Sequence, residues 1–315
     1  MKPGHRRWAK GALVALCGIA VLFVSAGATA LAATPTTATT RPSAAVDITG
    51  APIRVASTSA GPVAYREVGR GAPLVLIMGF GGTMDDWAPP FVDRLGADFH
   101  VVVLDNAGVG KTAALSPPLT VTAMANQVSA LITSLGLGRT AVLGWSMGGM
   151  TAQALAVLHP SQVSRLVLAA TQAGTGKALP VPAAAAAAID SPNPGAVLSV
   201  LFPPSQPAAA QAYAESVLEY PVFYQVSPAV KTAQTNAVTK WLAGDDAAGR
   251  AVASLHLPTL VADGTVDALD PVANDRLLAS LVPGAQLALY PGAGHAFLFQ
   301  DVNEFVPRVE AFLRA

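Results

Sequence analysis

The sequence has one cysteine, Cys17, in 315 residues, and only 12% of its side chains are charged. A single thiol excludes an internal disulfide, a thiolate metal site and a two-cysteine redox pair. Acidic and basic residues balance at 19 each, so neither a nucleic-acid partner nor an anionic surface is expected. Metal-ligand spacings are missing, and no metal or cofactor is expected. The stretch Gly108-Val109-Gly110-Lys111-Thr112 ends like a phosphate-binding loop. That loop needs a glycine four positions before Val109, where this chain has Asp105, so a nucleotide site is excluded.

Long apolar runs are also scarce after the first 33 residues. At the start, Lys2, Arg6, Arg7 and Lys10 precede an apolar run over 11–27, and Ala30-Leu31-Ala32 follows. A basic head, an apolar middle and a small-residue end form a secretory signal. Residues 1–32 are therefore expected to be a cleaved signal peptide and the protein to be secreted. Leu16 before Cys17 argues against lipid attachment there. The alternative is an uncleaved anchor over 11–33 with the rest facing outside, and it is the only membrane association expected. Cleavage removes the four basic residues and leaves a net charge of about −4. Residues 33–52, rich in Thr, Ala and Pro over their first part, are expected to be a flexible linker, with order beginning near Val46 or Ile53.

Short apolar runs at 74–78, 101–104, 141–143, 166–168, 259–262 and 287–290 alternate with helical stretches at 121–135, 147–158, 273–281 and 302–313. Runs without polar alternation suit parallel strands covered on both faces. The alternation predicts an α/β fold with a doubly wound, mostly parallel sheet. Ligands in such folds bind beyond the carboxyl ends of the strands. Residues 171–255 break the pattern: Pro192, Pro194, Pro203, Pro204 and Pro207 cut them into short helical pieces. Phe202, Tyr213, Phe223, Tyr224 and Trp241 are too many aromatics for a disordered insertion. A helical cap over 171–255 is expected, dividing the core into 53–170 and 256–315. Its aromatics suit either a hydrophobic substrate or the cap's own interior.

Gly144-Trp145-Ser146-Met147-Gly148 fits the G-x-S-x-G nucleophile elbow, with an apolar strand before it and a helix-forming run after it. The two glycines free the tight turn of side chains that would collide. Ser146 then opens a helix, where the Met147 N–H faces developing negative charge. The second oxyanion donor is expected from Gly79-Phe80-Gly81-Gly82, as the Phe80 N–H.

A serine hydroxyl needs a base to take its proton. His5 lies in the signal, His100 and His256 precede strands, and His159 ends the helix after the elbow. Only His295, in Pro291-Gly292-Ala293-Gly294-His295, follows a strand at its carboxyl end. The imidazole needs a carboxylate behind it, and Asp105, Asp263, Asp267 and Asp270 all lie past strand ends. Asp267 is favoured, a few residues beyond its strand and in the chain order Ser, Asp, His. Asp263 sits close to the strand end, and Asp270 before Pro271 suits a turn or an N-cap.

Together these segments resemble the α/β-hydrolase superfamily over nearly all of 53–315. The matching landmarks are Gly79-Phe80-Gly81-Gly82, Asp105-Asn106-Ala107-Gly108-Val109-Gly110, the elbow, Gly264-Thr265-Val266-Asp267 with Pro271, and Gly292-Ala293-Gly294-His295. The resemblance implies the α/β-hydrolase fold, a Ser/Asp/His triad, a mobile cap and no cofactor. Two positions depart from it: Met78 replaces the usual histidine before the oxyanion glycine, and Ala107 the usual arginine. Serine at 146 disfavours the relatives with an aspartate nucleophile, the epoxide hydrolases and haloalkane dehalogenases. The expected activity is a serine hydrolase cleaving an ester or related acyl bond of a small hydrophobic substrate through an acyl-enzyme. A lactonase or a small-peptide peptidase would use the same triad. A peptidase would need an acidic anchor from Glu215, Glu219, Asp245 or Asp246. The alternative of another class is a non-catalytic binding protein that keeps the fold.

Overall fold

The computed structural model describes residues 46–222 and 224–315. The expected signal peptide 1–32, residues 33–45 of the expected linker, and Phe223 lie outside the described residues. Among the described residues no helix is long and apolar enough to cross a membrane.

Eight strands form one sheet: β1 (Arg54–Thr58), β2 (Gly61–Val68), β3 (Ala72–Ile77), β4 (Phe99–Leu104), β5 (Thr140–Trp145), β6 (Val163–Ala169), β7 (Thr259–Gly264) and β8 (Gln286–Tyr290). Their order is β1-β2-β4-β3-β5-β6-β7-β8. Strands β3 to β8 are parallel throughout. The ribbon β1-β2 runs antiparallel at one edge. The helices are α1 (Pro89–Gly96), α2 (Val121–Ser134), α3 (Met147–Leu158), α4 (Ala183–Ile189), α5 (Pro194–Leu201), α6 (Pro207–Val217), α7 (Pro228–Leu242), α8 (Ala247–Arg250), α9 (Ala273–Leu281), α10 (Phe297–Gln300) and α11 (Val302–Arg314).

Alternate residues of the central strands enter two separate cores. Leu74, Leu76, Val101 and Val103 pack with Phe91 of α1 and Phe305, Val306 and Val309 of α11. Val75, Ile77, Val102 and Leu104 pack with Val128 and Leu131 of α2 and Leu155 of α3. Both faces are dry, which is why these strands read as unbroken apolar runs. Aromatic contacts tie the first core together. The Phe297 and Phe305 rings lie 4.9 Å apart, and Trp87 stacks on Phe91 at 5.7 Å. Such pairs add about 0.5–1.5 kcal/mol each beyond the area they bury.

The structure departs from the sequence reading in three places. Order begins earlier than a linker ending at 52: Ile48 is fully buried, and its N–H donates to Asp93 Oδ1 at 2.8 Å. The strands β1 and β2 carry fewer aliphatic residues and pair at the sheet edge, so they gave no periodic signal. Helix α1 opens on Pro89 and Pro90 and is eight residues long, too short to reveal itself by periodicity. The cap segment holds α4 to α8 and no strand among the described residues.

Candidate active site

The carboxyl ends of β3, β5, β7 and β8 bring the expected site residues to one rim of the sheet. At the end of β5 the chain turns into α3 through Ser146, whose backbone has φ 58° and ψ −124°. L-residues seldom adopt a positive φ, and it persists only where the surroundings enforce it. A Cβ at Gly144 would collide with the Gly148 carbonyl, and one at Gly148 with the Ile77 carbonyl. The two glycines are therefore what lets strand, turn and helix come so close.

The loop after β3 passes directly over the serine. A Cβ at Gly79 would lie 3.2 Å from Ser146 Cβ and 3.7 Å from Oγ. Neither the Phe80 N–H nor the Met147 N–H finds an acceptor among the described residues. Two side chains hold this loop. Asn106 Nδ2 donates to the Met78 carbonyl at 2.8 Å, and the Gly81 N–H donates to Gln234 Oε1 of the cap helix α7 at 2.8 Å. The departures at 78 and 107 thus leave a loop that is fixed by other residues.

Backbone hydrogen bonds knit the loops after β7 and β8 together: Thr265 N–H to Tyr290 O at 2.9 Å and Val266 N–H to Ala293 O at 3.0 Å. They bring Asp267 against His295, with Asp267 Oδ2 2.6 Å from His295 Nδ1. Asp267 Oδ1 accepts the N–H groups of Leu269 and Asp270 at 2.6 and 2.8 Å. The Trp145 indole, one residue before the serine, donates to the His295 carbonyl at 3.0 Å and fixes the other loop to the elbow. Burial of the ring works against protonation of His295. The charge and hydrogen bond of Asp267, helped by the charge of Asp270, outweigh burial and hold the imidazole above its ordinary range.

The other histidines and carboxylates lie elsewhere. His100 pairs with Glu67, His159 with Asn126, and His256 with the Ser254 carbonyl. Asp105 accepts from the Met84 N–H and the Tyr224 hydroxyl at 2.8 and 2.5 Å. Burial pushes its pKa up to about 6 against those two hydrogen bonds. Asp263 is fully buried beside Asp275. Asp270 is not a cap: the N-cap position of α9 is Val272. It is a buried acid raised to about 7, by burial first and then by the charge of Asp267. Oxygens of Asp263, Asp270 and Asp275 lie within 4.8 Å of one another. Burial is the first cause that raises the pKa of all three, and their mutual charge adds to it.

Ser146, Met147, Phe80 and His295 all line one cavity of about 520 Å³ between the sheet rim and the cap. Its wall is mainly aliphatic, with Val181, Ile189, Val238, Leu242 and Leu269 among its residues, and it includes Asp190, Gln172 and Asp270. Glu215, Glu219, Asp245 and Asp246 are not in that wall. Asp246 instead binds Thr122 and caps α8. The described aromatics of the cap face its own interior and its seat on the core. Trp241 is fully buried and donates to the Gln172 carbonyl, Phe202 packs on Tyr213, and Tyr224 reaches Asp105. A second hollow of about 560 Å³, walled by residues 49–53 and by Glu219, contains none of the expected triad or oxyanion residues.

The sequence reading missed Gln172, Gln234 and Asn106. Each acts through contacts between distant segments, and only Asn106 lies in a segment that the sequence reading had singled out, Asp105 to Gly110.

The model of the alpha/beta hydrolase fold family matches residues 72–302, and the chain belongs to that family. A protein of Caulobacter sp. (strain K31) assigned as the carbamate hydrolase RutD is 28% identical over 264 residues, 80% of this chain and 92% of that protein. The poly(3-hydroxyalkanoate) depolymerase of Ectopseudomonas oleovorans is 28% identical over 255 residues, 77% of this chain and 84% of the depolymerase. A solved α/β hydrolase fold protein from Chitinophaga pinensis superposes with a TM-score of 0.74 at 27% identity, covering 85% of this chain and 98% of its own. Hydrolysis is the reaction class that the first two of these relatives share.

Proposed function

We propose that the protein is a serine hydrolase that cleaves a carboxylic ester or related acyl bond, with Ser146 as nucleophile, His295 as base and Asp267 behind it. One observation carries this reading: the 2.6 Å contact of Asp267 with His295 Nδ1, made at the cavity that also holds Ser146. With Nδ1–H committed to the carboxylate, Nε2 is the nitrogen left to accept the serine proton. Ser146 Oγ attacks the carbonyl carbon, and the Phe80 and Met147 N–H groups receive the oxyanion. The imidazolium returns its proton to the departing oxygen, leaving the acyl group on Ser146. Water then gives a proton to Nε2 and attacks that ester. Collapse expels Oγ, which recovers the proton, and the free acid leaves. Each oxyanion donor contributes about 10²–10³-fold in rate.

A small hydrophobic acyl substrate suits the mostly aliphatic wall, and an ester suits the kinship to a polyester depolymerase. A lactone would enter the same chemistry. Glu215, Glu219, Asp245 and Asp246, the expected anchors of a peptidase, are not in the wall; Asp190 is the cap acid there that could hold an amine. A non-catalytic binding role would not require Ser146, Asp267 and His295 all to be kept. Secretion is part of the proposal and rests on the sequence alone. It is tested by sequencing the amino terminus of the exported protein, where a start at Ala33 is expected.

The deciding experiment uses a labelled fluorophosphonate and short-chain p-nitrophenyl esters. The wild-type protein should form an adduct on Ser146 and turn the esters over, and Ser146→Ala should do neither. Equal ester activity in Ser146→Ala would overturn the assignment.

A further inference from the structure

Three acids converge behind Asp267 with nothing to neutralise them. Asp263 near the end of β7, Asp270 in the bend that follows Asp267, and Asp275 in the first turn of α9 are 0%, 2% and 0% exposed. None of them pairs with a lysine or arginine among the described residues. One oxygen from each lies within 4.8 Å of the other two. Two oxygens on one calcium ion stand at most about 4.6–5.2 Å apart, twice its bond length. The three are therefore within the span of a single ion.

Their free valences point the same way. Asp263 Oδ1 accepts the Gly264 N–H at 2.7 Å, and Asp270 Oδ1 accepts Gln172 Nε2 and Asn274 Nδ2 at 2.9 and 2.8 Å. Asp263 Oδ2, Asp270 Oδ2 and both oxygens of Asp275 meet no donor among the described residues. A separate, uncharged group joins them. The Gln172 carboxamide lies against Asp270 and is 2% exposed, and its Oε1 has no donor either. Unpaired buried acceptors are rare and each calls for an explanation, and a buried charge needs a partner or a metal.

We infer that Asp263, Asp270 and Asp275 hold a hard divalent cation, calcium, with the Gln172 amide oxygen beside them. Carboxylates and an amide carbonyl are the donor set of such an ion, without the nitrogen or sulfur that selects zinc or copper. Asp275, with both oxygens free, can chelate through two. The sequence reading expected no metal, since these three acids match no ligand spacing. The ion stands behind the triad and takes no step in the chemistry. The Asp270 N–H donates to Asp267 Oδ1 at 2.8 Å, so the ion braces the loop that carries Asp267. The inference stands apart from the acyl-hydrolase reading, because binding and stability test it without any substrate.

The test strips the purified protein with EDTA, dialyses it, and titrates calcium by calorimetry and by thermal unfolding. One calcium per chain and a Tm rise of at least about 2 °C at saturation are expected. Asp263→Asn and Asp275→Asn should each weaken binding at least about 10-fold, because ligand charge sets calcium affinity. Asp245→Asn, at an exposed position of the cap, should leave binding and the Tm rise as they are. No calcium binding by the wild-type protein overturns the inference, and the carboxyls then hold protons instead. Binding unchanged in both cluster variants overturns it as well, by placing the ion elsewhere. Terbium in place of calcium decides the matter even where neither variant folds. Its luminescence lifetimes in H2O and D2O count the waters left on the ion. A terbium ion nearly stripped of water supports the buried cluster, and one that keeps most of its water overturns it.

Discussion

Gly81, in the loop above Ser146, donates its backbone N–H to the side-chain oxygen of Gln234, a fully buried residue in the cap helix α7, at 2.8 Å. The neighbouring N–H, that of Phe80, is thereby left free at a fixed position. The cap thus does more than roof the cavity: it sets the strand-β3 loop from above, while Asn106 sets it from the sheet side. Replacing Gln234 by Leu should lower kcat with little change in KM, because an ill-placed oxyanion donor affects the transition state more than ground-state binding. A displacement approaching 1 Å can cost roughly 10²-fold. A change confined to KM would show that Gln234 serves only the cap.

The imidazole has a pH signature. Its pKa in the folded protein is raised above 6.5, and only the neutral ring can accept the serine proton. Activity should therefore be full above the raised pKa and fall as pH drops through it. The acidic limb of the kcat/KM profile should have its midpoint above 6.5. In Asp267→Asn the largest cause of the increase is gone and burial remains, so the midpoint should move down. The rate should drop by about 10⁴-fold, the scale seen when a triad loses its carboxylate. A limb that stays in place would separate Asp267 from His295.

Strain at the elbow predicts a stability change opposite to the change in function. Ser146 is held at φ 58°, where glycine pays no steric penalty. Ser146→Gly should abolish turnover and raise unfolding stability by about 1–3 kcal/mol, the usual scale of such strain, read from urea denaturation. Lower stability would mean that the hydroxyl contributes more to folding than the backbone costs.

Arg66 and Asp85 form a buried two-pronged pair, with Nε to Oδ1 at 2.8 Å and a second nitrogen to Oδ2 at 3.0 Å. Arg66 also donates to the Ala51 carbonyl and lies over the Tyr220 ring of the cap. Arg66→Met strands a buried carboxylate and should cost about 3–5 kcal/mol, while Arg66→Met with Asp85→Leu should recover much of that loss. Denaturation midpoints compare the two. A double variant no more stable than the single one would show that the arginine acts mainly through Ala51 and Tyr220.

What was legible beforehand follows the range of the physical signal. Helices α3 and α9 were bounded to the residue, because helical periodicity and the elbow's glycines are encoded within a dozen positions. Helix α1 and the strands β1 and β2 were too short or too mixed in composition to register. Asp270 does lie in a bend, as one of its two readings had it, but its burial was not legible because nothing local shows that Gln172 and Asn274 close around it.

The sequence by itself determined the alternation of β3 to β8 with α2, α3, α9 and α11, the turn at Ser146, and the short list of residues lying past strand ends. These depend on side-chain volume, polarity and backbone freedom over a few neighbouring positions. Only the tertiary structure decided which carboxylate meets His295 and which cap residue pins the Gly81 loop. It also decided that the cap's described aromatics pack inward while mainly aliphatic residues line the cavity. Those outcomes depend on contacts between segments far apart in the chain, whose distances are set when the sheet and the cap close on each other.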